Sequence, residues 1–220
     1  MNYAALVQAI QAYSENTESL FVSNIPLFVQ EAELRIYNSV QIPVLRKNVT
    51  GNVTATNPYL SCPDDFMAVY SLAAINASGS YNYLIDKDVS FIREAYPTPT
   101  ATGLPRYYSI FGPQLTFPTE LSLLLAPTPD DSYSVELHYY YMPESIVTAG
   151  TSWLGDNYDP VLFYGAMREA MIFMKGEQDM VGYYEQKYQE ALVQLKRLGD
   201  GLERGDAYRN NQTKIPYNGL

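Results

Sequence analysis

The hydrophobic period of this chain changes twice, and nothing else in the sequence limits the fold as much. Over the first forty residues apolar side chains recur at gaps of three and four. Tyr3, Leu6, Val7, Ile10 and Tyr13 form one stripe. Ile25, Phe28, Val29, Ala32, Ile36 and Val40 form a second. Such spacing marks the buried face of a helix. Ser23 and Asn24 can cap the second helix, and Pro26 suits its first turn. Two helices with a short link predict an αα-hairpin.

Between about residues 46 and 144 the helical period disappears. Residues 49–56 are rich in β-branched side chains and predict a strand. Residues 68–76 and 81–86 flank Ala77-Ser78-Gly79-Ser80, which predicts a hairpin with a four-residue loop. Asp88 can cap a short helix through Phe91, Ile92 and Ala95 that Pro97 stops. Residues 97–105 read as loop. Residues 106–111 and 114–117 read as short strands around Gly112-Pro113, and Leu121, Leu123 and Leu125 mark another. Residues 127–131 form a turn cluster. The clearest strand is 132–142, with Tyr133, Val135, Leu137, Tyr139 and Tyr141 on one face. Ser134, Glu136, His138 and Tyr140 fall on the other, so one set meets a core and the other meets water or a neighbour.

The helical period returns in the last third. Residues 161–174 are apolar nearly all round, which requires burial on more than one side. Asp156, Asn157, Asp159 and Pro160 signal the start of that helix. Residues 179–198 carry a narrower stripe, Val181, Tyr184, Tyr188, Ala191, Leu195 and Leu198, spaced as a seam of period 3.5. Gly199 is placed to end that helix. From Gly205 the pattern stops, and residues 205–220 span about 50 Å if extended. The expected fold is α+β: an antiparallel helical bundle from the N- and C-terminal helices, an inserted antiparallel β domain, and an extended C-terminal arm. The expected segments are 1–45 and 146–204 for the bundle, 46–145 for the β domain and 205–220 for the arm.

Charge and chemistry narrow the function. With 14 Lys+Arg against 24 Asp+Glu, the net charge of -10 is wrong for gripping phosphates. Met1–Ile10 lacks the basic region and apolar run of a signal peptide, and no apolar run suits a membrane span. The four sequons at Asn48, Asn52, Asn76 and Asn211 therefore read as chance pairings. Cys62 is the sole cysteine and His138 the sole histidine, which leaves no disulfide framework and no multi-Cys or His-rich metal site. His138 shares a strand face with Glu136 and Ser134, but a strand splays its side chains in parallel rows rather than converging them into a triad. Cys62 precedes two acids, Asp64 and Asp65, the opposite of the setting that activates a thiol. Asp64-Asp65 and Asp130-Asp131 are adjacent in turns rather than opposed across a cleft as a glycosidase needs. Asp86, Asp88 and Glu94 lack calcium-loop spacing, and no glycine-rich phosphate cradle is present. The reading is no catalytic residues, no cofactor and no metal.

Twenty-one tyrosines stand out against that absence. They suit a tyrosine-filled core, a protein interface or a sugar-stacking platform, since each offers a large ring and a polar tip. Tyr140, Tyr184 and Tyr188 are the candidates for subunit contacts.

Four runs carry a family resemblance: NIPLFVQEAELRIYNSVQIPVLRKNVTG (24–51), KDVSFIREAYP (87–97), VELHYYYMPESIVTAGTSWLGDN (135–157) and LGDGLERGDAYR (198–209). Over most of its length and in this order, the chain resembles the head-to-tail adaptors, or connectors, of short-tailed bacteriophages. The resemblance implies a helical bundle carrying a β domain, assembled as a dodecameric ring between portal protein and tail nozzle protein. It implies a structural component of the virion, made in the host cytoplasm, that continues the DNA channel without binding DNA specifically. Tail fibre proteins dock on the outside of such rings, and C-terminal arms reach the portal. On that basis Tyr208, Arg209, Lys214, Ile215, Pro216 and Tyr217 are expected to dock the arm. Asp179, Glu185, Glu190, Asp200, Glu203 and Asp206 are the candidates for lining the channel. Residues 97–105 and 112–119 are candidate contact loops. The alternative is a β-rich carbohydrate-binding module of a phage tail, using tyrosines as sugar platforms.

Overall fold

The computed structural model describes residues 1–98, 100–112 and 121–203, with side chains through 199. The fold class is α+β. The helices among these residues are α1 (Tyr3–Ser14), α2 (Ser19–Ser39), α3 (Val89–Ala95), α4 (Ile146–Ala149), α5 (Trp153–Asn157), α6 (Asp159–Phe173) and α7 (Gln178–Glu203). The strands are β1 (Arg46–Val53), β2 (Tyr59–Ser61), β3 (Phe66–Ile75), β4 (Tyr81–Tyr83), β5 (Ile85–Asp86), β6 (Tyr107–Phe111), β7 (Ser122–Ala126) and β8 (Tyr133–Tyr141). The chain divides into two compact units, Met1–Val44 with Pro143–Leu220, and Leu45–Met142. The proposed strand at 114–117 lies outside the described residues.

In the helical unit, α6 packs against α1, α2, α5 and α7. Its all-round apolar sequence follows from that position, and Val161, Leu162, Ala166, Met167 and Ala170 are buried. Gly165 sits where α2 and α7 press closest: an added Cβ would lie 3.0 Å from the Ala32 Cβ and 3.4 Å from the Tyr188 ring. The Asn2 side chain caps α1 by accepting from the Ala5 N–H at 2.9 Å. Where the chain returns to the helical unit, buried Glu33 of α2 accepts from the Ile146 N–H at 2.9 Å, which ties α4 to α2. Burial pushes the Glu33 carboxyl above its ordinary value, and the Ile146 bond pulls against that rise.

Helix α2 begins at Ser19 rather than at the expected Ser23-Asn24 cap. Both side chains instead turn back to the Leu20 carbonyl, at 2.9 and 2.7 Å. The earlier start buries Phe21 against Phe28 and Phe173, with ring centroids 5.8 and 6.2 Å away. Packing of that ring outweighs the local cap preference, and Pro26 is carried inside the helix.

Helix α7 likewise overruns its expected end at residue 198. Gly199 is an interior residue there, not a cap. A Cβ on it would lie 2.5 Å from the Ile42 Cγ2, so the glycine permits close approach of the 40–42 segment. Tyr184, Tyr188, Ala191 and Leu195 are buried as the spacing predicts, but Leu198 is exposed and Leu192 is buried. A straight helix of 3.6 residues per turn drifts off a strict 3.5 seam.

In the β unit the strands form two four-stranded sheets, ordered β1-β8-β3-β4 and β2-β7-β6-β5. Leu72, Ala74, Val135, Leu137 and Tyr139 of the first sheet pack with Tyr108, Leu123 and Leu125 of the second. This is the side of β8 that the alternating pattern assigns to a core. Helix α3, capped by Asp88 through the Ser90 N–H at 2.7 Å, places Ile92 against Leu124 and Ala126 on the far side of the second sheet. All five β7 residues are therefore buried.

The segment 81–86 is two strands rather than one. Tyr81–Tyr83 pairs with β3, and Ile85–Asp86 runs parallel to β6 in the other sheet. Leu84 is the crossing point, its N–H donating to the Leu72 carbonyl and its side chain buried between the sheets. The preceding loop is a residue longer than expected, because the Asn76 side chain accepts from the Ser78 and Ser80 N–H groups and so belongs to the turn. Gly79 supplies the positive φ of 80°.

Gly199→Ala separates propensity from packing. Helix propensity alone favours alanine by about 1 kcal/mol, whereas forcing a methyl onto Ile42 costs about 1–3 kcal/mol. Chemical denaturation of the variant is expected to show a net loss, partly recovered in the Gly199→Ala, Ile42→Ala double variant. A gain in stability from Gly199→Ala would refute the assignment.

Candidate docking surfaces

The second sheet is covered by α3 over Leu124 and Ala126, whereas the outer face of the first is open to solvent. Strand alternation sends Arg46, Asn48, Thr50 and Asn52 of β1, Ser71 of β3, and Ser134, Glu136, His138 and Tyr140 of β8 to that face. The β1–β8 register sets Asn48 opposite His138 and Thr50 opposite Glu136. Asn48 Nδ2 donates to Glu136 Oε1 at 2.6 Å and lies 3.2 Å from His138 Nε2. Ser71 Oγ lies 3.4 Å from His138 Nδ1. The histidine thus sits in a row of amide, hydroxyl and imidazole groups, and Ser134 and Glu136 do not converge on it.

Arg46 anchors one end of this face. Its guanidinium lies 4.0 Å from the Tyr70 ring centroid and 5.1 Å from that of Tyr140, and donates to the Tyr140 hydroxyl at 2.7 Å. Tyr140, read as a contact candidate, is here half-buried by its own neighbours. Tyr81 and Tyr83 are exposed at the opposite edge, on β4.

The acidic pairs serve local structure. Asp65 accepts from Lys47 Nζ at 2.6 Å and from the Tyr139 hydroxyl at 2.8 Å. Burial alone would raise its carboxyl, but those bonds and the Lys47 charge outweigh it and hold the group below its ordinary value. The same contact, after burial itself, helps push the Tyr139 phenol up to about 12. Asp130 accepts from the Tyr133 hydroxyl at 2.6 Å, and Asp131 from the Ser132 N–H at 2.7 Å. Asp88 is spent on its cap. Burial pushes the Cys62 thiol up to about 11. Among the described residues, no three His, Cys, Asp or Glu side chains stand close enough to hold a metal ion.

On the helical unit, α2 exposes Leu20, Leu27 and Leu34 at 66%, 51% and 44%. Steps of seven put them one above another on one face. The stripe is present in the sequence, but a helix capped at Ser23-Asn24 leaves Leu20 outside it, whereas α2 starts at Ser19. Tyr184 and Tyr188 are 5% and 0% exposed. Both are packed into the core of their own chain, so neither offers a ring to a neighbour. The exposed tyrosines of this unit include Tyr13 and Tyr183.

Three of the six acids singled out in the sequence have described side chains, all on α7. Asp179 and Glu190 are exposed, and Glu190 accepts from Lys187 at 3.0 Å. Glu185 is paired with Arg168 and accepts from Gln189 at 2.7 Å. Asp200 and Glu203 lie in the last turns of α7, with their side chains outside the described residues. Asp206 and the arm residues Tyr208, Arg209, Lys214, Ile215, Pro216 and Tyr217 also lie outside them.

A family model described as SU10 adaptor protein matches residues 1–214 of the chain's 220. The chain belongs to that family. The adaptor is thus a phage structural protein and a component of the virion, whose role is contact with other virion parts. A structural family of this kind speaks for a part that is not an enzyme. Comparison with curated proteins returned no match. Among the described residues, no helix of the adaptor is long and apolar enough to cross a membrane.

Two measurements check the local assignments. Asp65→Asn is expected to cost about 1 kcal/mol at neutral pH through the altered Tyr139 and Lys47 bonds. Because the Asp65 carboxyl is held below its unfolded value of about 3.9, its contribution is present above that value. It fades as pH falls through the folded one, so denaturation curves of the two proteins should converge in acid. Cys62 in the native adaptor is expected to resist alkylation at pH 8 and to react only on unfolding. Fast native labelling would contradict the buried, unactivated thiol.

Proposed function

We propose that the adaptor is the subunit of a ring that joins the portal of the phage head to the tail nozzle and continues the DNA channel. The observation that carries this reading is the family match over residues 1–214. In it, residues 1–45 and 146–204 form an antiparallel helical bundle, 46–145 are an inserted β domain, and 205–220 are the arm that reaches the portal. The ring is dodecameric, as in the phage adaptors the sequence resembles.

The exposed Leu20, Leu27 and Leu34 stripe supports a helical subunit contact, since a soluble helix gains nothing from three aligned leucines in water. The open sheet face, with Arg46, Tyr70, Tyr81 and Tyr83, supports docking of a nozzle or fibre protein, because Tyr and Arg are enriched where proteins bind tightly. The net charge of -10 supports passage of DNA without adhesion. Charge acts over about 8 Å at physiological salt, so only acids at the lumen contribute. Asp179 and Glu190, with Glu185, Asp200, Glu203 and Asp206, are the proposed set. Tyr208, Arg209, Lys214, Ile215, Pro216 and Tyr217 are the proposed anchors of the arm.

The open, tyrosine-bearing sheet face also favours a second reading, a carbohydrate-binding module of a phage tail. Particle size separates the two. Mixed with portal protein, the adaptor is expected to appear in micrographs as a ring on the portal, many times its own 24.8 kDa. Deletion of 205–220 should abolish attachment while thermal unfolding of the remainder stays unchanged. Leu27→Glu should weaken ring assembly at least tenfold, because it places a charge in an apolar contact. Sugar binding with no portal attachment would decide for the module.

A further inference from the structure

We propose that the free edge of β1 accepts a strand from a second copy of the chain. The occupant is that copy's residues 114–117, a stretch between β6 and β7 that lies outside the described residues. This contact deepens the ring reading and rests on it. Among the described residues the two sheets present four edges, and three are short. β2 and β4 have three residues each and β5 has two. β1 has eight, and its register with β8 is unbroken from Arg46 to Val53. An exposed edge offers a row of main-chain N–H and C=O groups to any extended chain, and proteins blunt such edges with short strands, bulges, proline or charge. On β1 the charges, Arg46 and Lys47, stand at one end, and Lys47 is bonded to Asp65. From Asn48 to Val53 there is no charge and no proline, and residues 48–52 are exposed.

The main chain of β1 selects an extended backbone, and its side chains select the pattern. Val49 and Gly51 lie on the core side, opposite Leu137 and Val135. Both of those partners are buried between the sheets. Val49 is nevertheless 38% exposed, and a Cβ on Gly51 would meet only the Val135 Cγ2, at 3.7 Å. The core thus ends at β1 with its last row incomplete. Two apolar side chains spaced two apart on an added strand complete that row, and an aromatic ring suits a glycine at a sheet edge. On the opposite face Asn48, Thr50 and Asn52 suit polar neighbours.

Residues 114–117 are Gln-Leu-Thr-Phe, so Leu115 and Phe117 alternate with Gln114 and Thr116 in that pattern. Pro113 and Pro118 lack N–H donors and limit the added strand to four residues. The segment leaves and re-enters the fold at one place. Phe111 pairs with Ser122 at the end of the β6–β7 ladder, and the Ser122 hydroxyl donates to the Gly112 carbonyl at 3.4 Å. With both ends held together, half of residues 112–121 spans about 16 Å, against about 4.8 Å between neighbouring strands. Phe111 and Leu121 are exposed at its root. Donor loop and acceptor edge are different patches of one subunit, so the contact runs head to tail, the arrangement from which rings close.

The test uses full-length chains assembled with portal protein. In either strand direction, placing Leu115 and Phe117 beside Val49 and Gly51 sets Thr116 beside Thr50, within disulfide reach. A mixture of Thr50→Cys chains with Thr116→Cys chains is expected to give a disulfide-linked pair on oxidation, and each variant alone none. Phe117→Asp should weaken ring assembly at least tenfold with thermal unfolding unchanged, because it places a charge in the completed core row. Phe117→Leu should stay within about twofold of the parent, since it keeps that row apolar. A ring that forms without the crosslink, or that ignores Phe117→Asp, would overturn the strand contact and leave the ring reading standing. So would a crosslink confined to chains that carry both cysteines, because the loop would then lie on its own subunit's edge. No ring at all would remove the ring reading and this contact with it.

Discussion

Helix α6 is the member on which the helical unit depends, and the close approach at Gly165 shows why. The helix is gripped by α2 on one side and α7 on another, so closely that a methyl group at Gly165 would force a neighbour to give by a few tenths of an ångström. A helix so placed must be apolar round most of its circumference, and its neighbours must then carry the polar faces. That constraint explains the long buried run of α6, the single buried stripes of α2 and α7, and the burial of Tyr188. Phe173, at the end of the same helix, also draws the N-terminal turn of α2 inward through Phe21 and Phe28.

Much of this organisation was legible in the spacing of apolar residues. The stripes of α1, α2, α6 and α7 and the alternation of β8 report how many sides of an element are covered, and the fold follows them except at Leu198. What was not legible involves choices settled by distant partners. Ser23 and Asn24 make a sound cap in isolation, but Phe21 has aromatic neighbours that only the folded chain supplies. Gly199 reads as a stop because a local pattern cannot reveal Ile42 beside it. Residues 81–86 read as one strand because nothing local says that Leu84 crosses between two sheets.

The candidate sites followed the same rule. That Ser134 and Glu136 would not converge on His138 could be seen from a strand's parallel rows, and His138 sits beside Asn48 and Ser71. Tyrosine, however, carries no label that separates core from interface. Tyr184 and Tyr188 lie on the buried stripe of their helix, and a stripe at seam spacing is as well satisfied by the chain's own α6 as by a neighbour. The exposed leucines of α2 and the exposed Tyr13 emerge only once the buried face has been assigned.

The position of β8 in the first sheet bears on how the chain is made. It lies between β1 and β3, pairing Arg46 with Tyr140 and Phe66 with Tyr141 across most of a hundred residues. The β unit therefore cannot close its sheet until the ribosome has passed residue 141. The helical unit must wait longer, for α6 and α7. Contacts of such sequence separation slow folding, since loop entropy is lost before they form. Until then the apolar faces of β3 and α2 are exposed in the nascent chain. Neither unit can therefore close before residue 141 has been made, and a chain truncated before α6 would leave neither the helical core nor its aromatic clasp.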